Sequence, residues 1–356
     1  MNKKITQYDV AKRIGVSTAT VSRVLNKDPH VDQVTRHKVL EAIERLGYIP
    51  NQTARSLASG RNNSILLLIL DKEPIFPSTW QYELPVLQEI NRHMQEKQYT
   101  LQIEMVNGRD SFMMDRVQEE LIKNRSVDGL IILTSWPLED TFIQKIDRYR
   151  IPAVFIGNGP HTLVNHQIGS TILFDNAGVI KETYALLQNL GHRNIAFIKG
   201  DEIQLHAVIR FRSFCEAITA QGGHLDERYI FDGHYSVQGG YQALNNFVRC
   251  SPPPSAIICA NDLIAIGVMK AAADLGIHIP EELSVIGFDN IEISGYLSPP
   301  LTTVNVPTYE MGLTAAVKLI NQIELGEKAD VTLLPVSLVH RGTVAPFSGQ
   351  PGPNKD

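Results

Sequence analysis

Residues 6–26, reading TQYDVAKRIGVSTATVSRVLN, constrain the chain more than any other stretch. Two short amphipathic segments meet there at a tight corner, residues 14–17. Thr6, with Asp9 three positions on, makes a reciprocal capping pair for the free amides of a helix N-terminus. Ser17 is a good N-cap for a second helix. Gly15 stands where a helix-to-helix corner needs positive φ. Ala11 is small enough for the second helix to cross close, and Val21 supplies the apolar contact back. These offsets predict a helix-turn-helix. The second helix carries a polar face of Thr18, Ala19, Ser22 and Arg23, flanked by Ser17 and Thr20. Short donors and one long arginine suit a helix lying in the major groove. An ordinary helical hairpin with a solvated face is the alternative.

Charge points the same way. Up to Arg61 the chain holds eleven Lys/Arg against five Asp/Glu, a balance of +6, while the whole chain of 356 residues carries −5. A basic head on an acidic body fits a head that meets phosphates and a body that does not. Such a length exceeds one small domain. No apolar run reaches the roughly 20 residues of a membrane span, and the N-terminus lacks a secretion signal, so the expected location is cytoplasmic. Cys215, Cys250 and Cys259 show no paired spacing, and neither a disulfide nor a metal site is expected.

A third helix is predicted over about residues 32–46, with Val34, Val39, Ala42, Ile43 and Leu46 as its inward stripe and Gly47 as its stop. Beyond it, Pro50 and Asn51 read as the start of a short helix and Gly60 as its end. A helix of about seven residues does not hold alone in water, and a plain linker is the other reading. From Ser64 the pattern changes to short apolar strands, SILLLIL, TLQIEMV, DGLIIL, PAVFIG, IAFIKG, AIICAN and LSVIGFD. Amphipathic helices lie between them, for example over 84–97, 113–123, 177–190 and 263–275. This alternation predicts parallel sheets covered on both faces. There are too many units for one sheet, so two α/β lobes are expected, with any ligand in the crevice at the strand ends.

The run DVAKRIGVSTATVSRVLN, its continuation through residues 34–57, and Phe174-Asp175-Asn176, Gly191-His192-Arg193, Ala260-Asn261-Asp262, Ile286-Gly287-Phe288-Asp289 and Pro300-Leu301-Thr302-Thr303-Val304, in that order, resemble the lactose/galactose-repressor family of bacterial regulators. The resemblance covers nearly the whole chain. It implies an N-terminal all-α helix-turn-helix domain (1–49), a hinge helix and linker (50–63), a two-lobed α/β core like the periplasmic sugar-binding proteins (64–345), and a disordered tail (346–356). Crossovers between the lobes are expected by analogy near 158–166, 290–300 and 326–331.

The same resemblance implies DNA contacts at Tyr8, Ser17, Thr18, Ala19, Thr20, Ser22, Arg23, Asn26, His30, Thr35, Tyr48, Asn51, Leu57 and Ala58. Of these, Thr18, Ala19 and Arg23 would choose bases, and Leu57 would wedge into the minor groove from a hinge that folds on DNA. Arg210 in RFRSF matches the family's RxxGF, with Ser213 in place of the glycine. Tyr235 matches a position where an aromatic stacks on the ligand. Asn261 and Asp289 follow strands and would either meet the ligand or merely cap turns. Asp71 and Trp136, at or after first-lobe strands, complete the candidate effector set, with Lys72 and Trp80 as weaker ones. Leu133 and Gly157 stand where some sugar-responsive relatives carry polar side chains.

No catalytic residue is expected: GxSxG, HExxH and GxxxxGK[ST] are absent, Gly157-Asn158-Gly159 is no full GxGxxG, and His161 and His166 lack triad partners. The sequence therefore predicts a homodimeric repressor that needs no cofactor. Its partners would be a pseudo-palindromic double-stranded DNA operator and a small-molecule effector, a carbohydrate by resemblance. The alternative is a cytosolic sugar-binding protein whose head no longer binds DNA.

Overall fold

The first helix starts where its capping pair stands. Thr6 Oγ1 accepts from the Asp9 amide at 3.4 Å, and the Asp9 carboxylate accepts from the Thr6 amide at 2.9 Å. The computed structural model describes residues 5–25, 28–48, 62–71, 80–107, 126–134, 136–157 and 168–349, with backbone alone at Asp71, Trp80 and Asn107. The chain divides into two compact units, Met1–Asn62 and Asn63–Asp356.

The first unit holds α1 (Gln7–Ile14), α2 (Thr18–Leu25) and α3 (Gln33–Leu46). Gly15, at φ 70°, ends α1 with its N–H on the Ala11 carbonyl, the left-handed corner that a Cβ disfavours. Ser17 Oγ accepts from the Thr20 amide at 3.0 Å and opens α2. Asp32 caps α3, accepting from the Thr35 amide. Val10, Ala11, Val21, Val24, Val39 and Ala42 form a small core, with Ile43, Leu46 and Tyr48 partly buried against it. Val34 does not join the stripe expected of it and is 64% exposed. It precedes Val39 by five residues, which puts it about 140° around the helix from the buried face.

Among its described residues the second unit contains two six-stranded sheets. The first-lobe strands are β1 (Ser64–Asp71), β2 (Thr100–Asn107), β3 (Gly129–Thr134), β4 (Ala153–Gly157), β5 (Ser170–Phe174) and β11 (Val331–Leu334), in the order β11-β5-β4-β3-β1-β2. The second-lobe strands are β6 (Ile195–Lys199), β7 (Ile230–Asp232), β8 (Ala256–Cys259), β9 (Ser284–Asp289), β10 (Thr302–Asn305) and β12 (Ser337–Val339), in the order β12-β10-β9-β8-β6-β7. Every pairing is parallel except β10 with β12. Seven of these strands are the predicted apolar runs. The other five, β5, β7, β10, β11 and β12, escape that test. They are short, open on Ser or Thr, or lie at an edge where one face stays wet.

Helices α4 (Trp80–Glu96), α5 (Asp140–Tyr149), α6 (Asn176–Asn189), α7 (Leu205–Ala220), α8 (Val237–Phe247), α9 (Asp262–Leu275) and α10 (Thr308–Leu325) accompany the sheets. The predictions for α6 and α9 fall within one residue of the observed bounds, whereas α4 starts four residues early. The helix predicted over 113–123 lies outside the described residues. The largest apolar cluster runs from Ile65, Ile131 and Val154 in one lobe to Phe197, Ile258 and Phe288 in the other.

All three expected crossovers are displaced. The chain leaves the first lobe after β5, because α6 packs on α7 and on second-lobe strands. It returns between β10 and α10, which packs on α4 and on β3, β4 and β5. It crosses a third time between β11 and β12. The crossovers thus lie near 174–176, 305–308 and 334–337. Residues 158–166 lie outside the described residues, 290–300 join two strands of the second lobe, and the crossings themselves are short links of one or two residues.

Candidate functional site

On the first unit, α2 turns Thr18, Ala19 and Arg23 to solvent, with Ser17 exposed at its start and Thr20 and Ser22 partly covered. Ser17 and Thr20 spend their hydroxyls on each other, 2.9 Å apart, holding the N-terminal turn. Gln7 Nε2 donates to the Thr18 carbonyl at 3.2 Å and ties α1 to the start of α2. Tyr8 and His30 are exposed and Thr35 is half-buried. Tyr48 is half-buried against the helical core, which leaves only part of its ring for a partner. Asn26, Asn51, Leu57 and Ala58 lie outside the described residues.

In the second unit a crevice opens at the C-terminal ends of the strands. Tyr82, Phe174, Gln204, His206, Arg210, Tyr235, Asn261 and Asp289 line a cavity of about 30 Å³. Arg210, on the first turns of α7, is 4% exposed. Its Nε donates to Asn176 Oδ1 at 2.8 Å, and Nη1 donates to the Ala260 carbonyl at the end of β8. Nη2 remains for the crevice, with Asp289 Oδ1 3.9 Å away. That spacing is an ion pair without a hydrogen bond. Burial pushes the Asp289 carboxyl up to about 7, with the Arg210 charge opposing. Behind it, Asp262 Oδ1 accepts from Thr303 Oγ1 at 2.5 Å, and its other oxygen accepts from the Ile291 amide. Burial first, then the nearby Asp289 charge, raises Asp262 to about 8.

Strained backbone concentrates here. Tyr235 has φ 53°, Asp289 109° and Asn290 56°. Left-handed backbone at a residue with a Cβ costs about 1–3 kcal/mol and persists where the surroundings over-determine it. Tyr235 is held by Gly200, whose absent Cβ would stand 2.1 Å from the ring.

Of the predicted effector residues, Arg210, Tyr235, Asn261 and Asp289 come together. Asn261 serves two ends, since its Oδ1 caps α9 by accepting from the Ile264 amide at 2.9 Å while the residue lines the crevice. Trp136 stands apart from the crevice lining. It is buried after β3, its backbone N–H on Thr134 Oγ1. The Asp71, Lys72 and Trp80 side chains lie outside the described residues, as do His161 and His166. Sequence reasoning missed Tyr82, Phe174, Asn176, Gln204 and His206. His206 stands four residues before Arg210, one helical turn away on the same face, and that spacing is a signal the sequence did carry.

Tyr82 and Asp289 also border a larger cavity of about 710 Å³ that includes Gln88, Ile291, Tyr296 and Tyr309. Among the described residues no helix is long and apolar enough to cross a membrane.

Comparison with known proteins matches residues 6–51 to the bacterial regulatory proteins of the lacI family and residues 184–344 to the periplasmic binding protein-like domain. The catabolite control protein A of Priestia megaterium is 31% identical over 95% of this chain and 97% of its own length. A lac repressor dimer bound to operator and the anti-inducer ONPF superposes with a TM-score of 0.81 at 29% identity, covering 96% of this chain and 100% of that one. The transcriptional regulator CelR in complex with cellobiose gives a TM-score of 0.68 at 26% identity, covering 95% and 99%. These relatives are regulators, not enzymes. The helix-turn-helix head and the two-lobed core fall within the two matched models and the full-length matches, and this chain belongs to the lacI family of bacterial regulatory proteins.

Proposed function

We propose that the chain is a cytoplasmic, homodimeric transcription repressor that binds a pseudo-palindromic operator and releases or grips it in response to a carbohydrate in the inter-lobe crevice. The observation that carries the DNA half is the exposed face of Thr18, Ala19 and Arg23 on a helix whose start is pinned by Ser17 and Thr20. Arg23 is long enough to grip a guanine bidentately. A two-fold dimer presents two such faces to two half-sites. Residues 50–63 act as the hinge, with Leu57 as the minor-groove wedge.

The effector half rests on the crevice chemistry. Arg210 offers donors, Asp289 an acceptor or a protonated partner, and Tyr235 and Tyr82 apolar walls, a mixture that suits a polyhydroxylated ring. The inner cavity of about 30 Å³ holds about one water molecule. A sugar ring is larger, so binding must spread the lobes or move Tyr82, and either change is available as a population shift felt at the hinge. Induction and corepression differ only in which lobe arrangement the effector prefers.

A double variant, Thr18→Ala with Arg23→Ala, tests the reading. Genomic DNA fragments enriched by the wild-type protein should lose affinity by at least about tenfold in the variant, while sugar-dependent thermal stabilisation stays the same. Undiminished DNA affinity would sink the groove assignment.

A further inference from the structure

Among the described residues, Nε2 of His206 is buried with no hydrogen-bond partner, and the residue is 7% exposed. A chain of bonds fixes its proton. Arg210 Nε can only donate, and it donates to Asn176 Oδ1 at 2.8 Å. The other end of that amide, Nδ2, can also only donate, and it lies 3.0 Å from His206 Nδ1. His206 Nδ1 is therefore the acceptor, and the one proton of the neutral imidazole sits on Nε2. Phe174 stacks on the imidazole, centroids 5.2 Å apart and planes 19° from parallel, which pins the ring against rotation. Nε2 faces the C-terminal end of β4 in the first lobe, where a Cβ at Gly157 would stand 3.1 Å from it. Glycine at that position spares Nε2 the side chain that would otherwise crowd it.

We propose that His206 is the specificity-determining donor of the crevice, its Nε2–H reading a hydrogen-bond acceptor on the effector: a hydroxyl, ring or carbonyl oxygen. Asn176 is its positioning residue. The assignment rests on the crevice being the effector site, and it deepens that reading by requiring an oxygen lone pair at one place. An effector with an ammonium or methyl group there would leave the donor buried and unpaired, which is costly. The neutral state is maintained by burial first and then by the charge of Arg210, which together bring His206 down to about 3. Asp289, Tyr235 and Tyr82 are the other titratable groups lining the same cavity. They leave the relay through Asn176 untouched.

The test uses the full-length protein with nitrogen-15-labelled histidine. Long-range proton–nitrogen spectra should show His206 as the Nε2–H tautomer from about pH 5 to about pH 8, where an ordinary histidine titrates. Asn176→Asp should move the proton to Nδ1, because a carboxylate there accepts from both neighbours. An Nδ1–H wild-type ring, or an imidazolium at neutral pH, overturns the proposal. In parallel, calorimetry with D-glucose, D-galactose, D-ribose and cellobiose compares wild type, His206→Gln and His206→Phe. A sugar that binds should weaken about tenfold or more in His206→Phe, and less in His206→Gln, which keeps a donor near the same point. Equal binding in a folded His206→Phe overturns the donor role and leaves the effector crevice standing. Silence from all four sugars with the Nε2–H pattern in place supports the donor and counts against a carbohydrate effector.

Discussion

The guanidinium of Arg210 lies over the ring of Phe288, its central carbon 3.4 Å from the ring centroid. That contact places a permanent cation on an apolar floor, where flat delocalised charge is tolerated better than a compact one. The two donors spent on Asn176 and Ala260 then tie the chain just after β5 to the end of β8. One side chain therefore holds the first crossover against the second-lobe sheet.

Arg210→Lys keeps the charge and loses the plane. A lysine cannot stack on Phe288 and reach both acceptors, so the substitution should destabilise the folded protein by roughly 2–3 kcal/mol. Urea denaturation measures it, and an unchanged midpoint would show the fork to be dispensable.

The buried carboxylates predict how stability moves with pH. Asp289 at about 7 and Asp262 at about 8 both stand above the ordinary 3.8. Between those limits the folded chain holds protons that the unfolded chain has released, so these groups make stability fall as pH rises. His206 works in the opposite sense, since its lowered value makes stability rise with pH from about 3 to 6.5. Above about 6.5 the carboxylates act without that opposition. Asp262→Asn can still meet Thr303 and the Ile291 amide. Its melting temperature relative to wild type should climb as pH is raised from about 4 to about 8 and then level off. A difference that is flat across that range would refute the burial argument.

Gly200→Ala addresses Tyr235 without touching it. The new Cβ must push the ring from its place, and overpacking of this kind costs typically about 1–3 kcal/mol. Near-ultraviolet circular dichroism should register the displaced tyrosine, with sugar-dependent stabilisation reduced in the same variant. A wild-type spectrum would mean that the loop relaxes as a unit.

For the head, Arg23→Ala should weaken binding to enriched DNA fragments by about 1–3 kcal/mol and relax base preference at one position of each half-site. Arg23 is exposed, so the melting temperature should not change. A variant that loses affinity equally for all sequences, with a smaller salt slope, would reassign the side chain to a phosphate.

Much of this was legible because it is local. Thr6 with Asp9, Ser17, Gly15 and Gly47 announce helix ends through bonds made within a few residues, and all four do so in the structure. Arg210 and Asp289 could be placed by motif and strand-end position, and they meet. Tertiary choices left weaker traces. Val34 is apolar and well spaced for a stripe on paper, yet it falls on the wet side because the stripe's phase is set by packing on α1. The crossovers were misplaced because one or two linking residues look alike whether the next element joins the same lobe or the other one. His206 was overlooked because its partner Asn176 is 30 positions away along the chain.

The last two strands, β11 and β12, belong to different sheets with only residues 335–336 between them. Among the described residues each lobe is consequently assembled from separated portions of chain, one from those within 64–174 with 308–334, the other from 176–305 with 337–349. A single cut cannot release either lobe as one continuous polypeptide. During synthesis neither sheet has all its strands until residue 334 has been made for one and residue 339 for the other. Newly made protein thus passes from two incomplete halves to two complete ones as residues 331–339 are added, and a cut ahead of them wounds both halves at once.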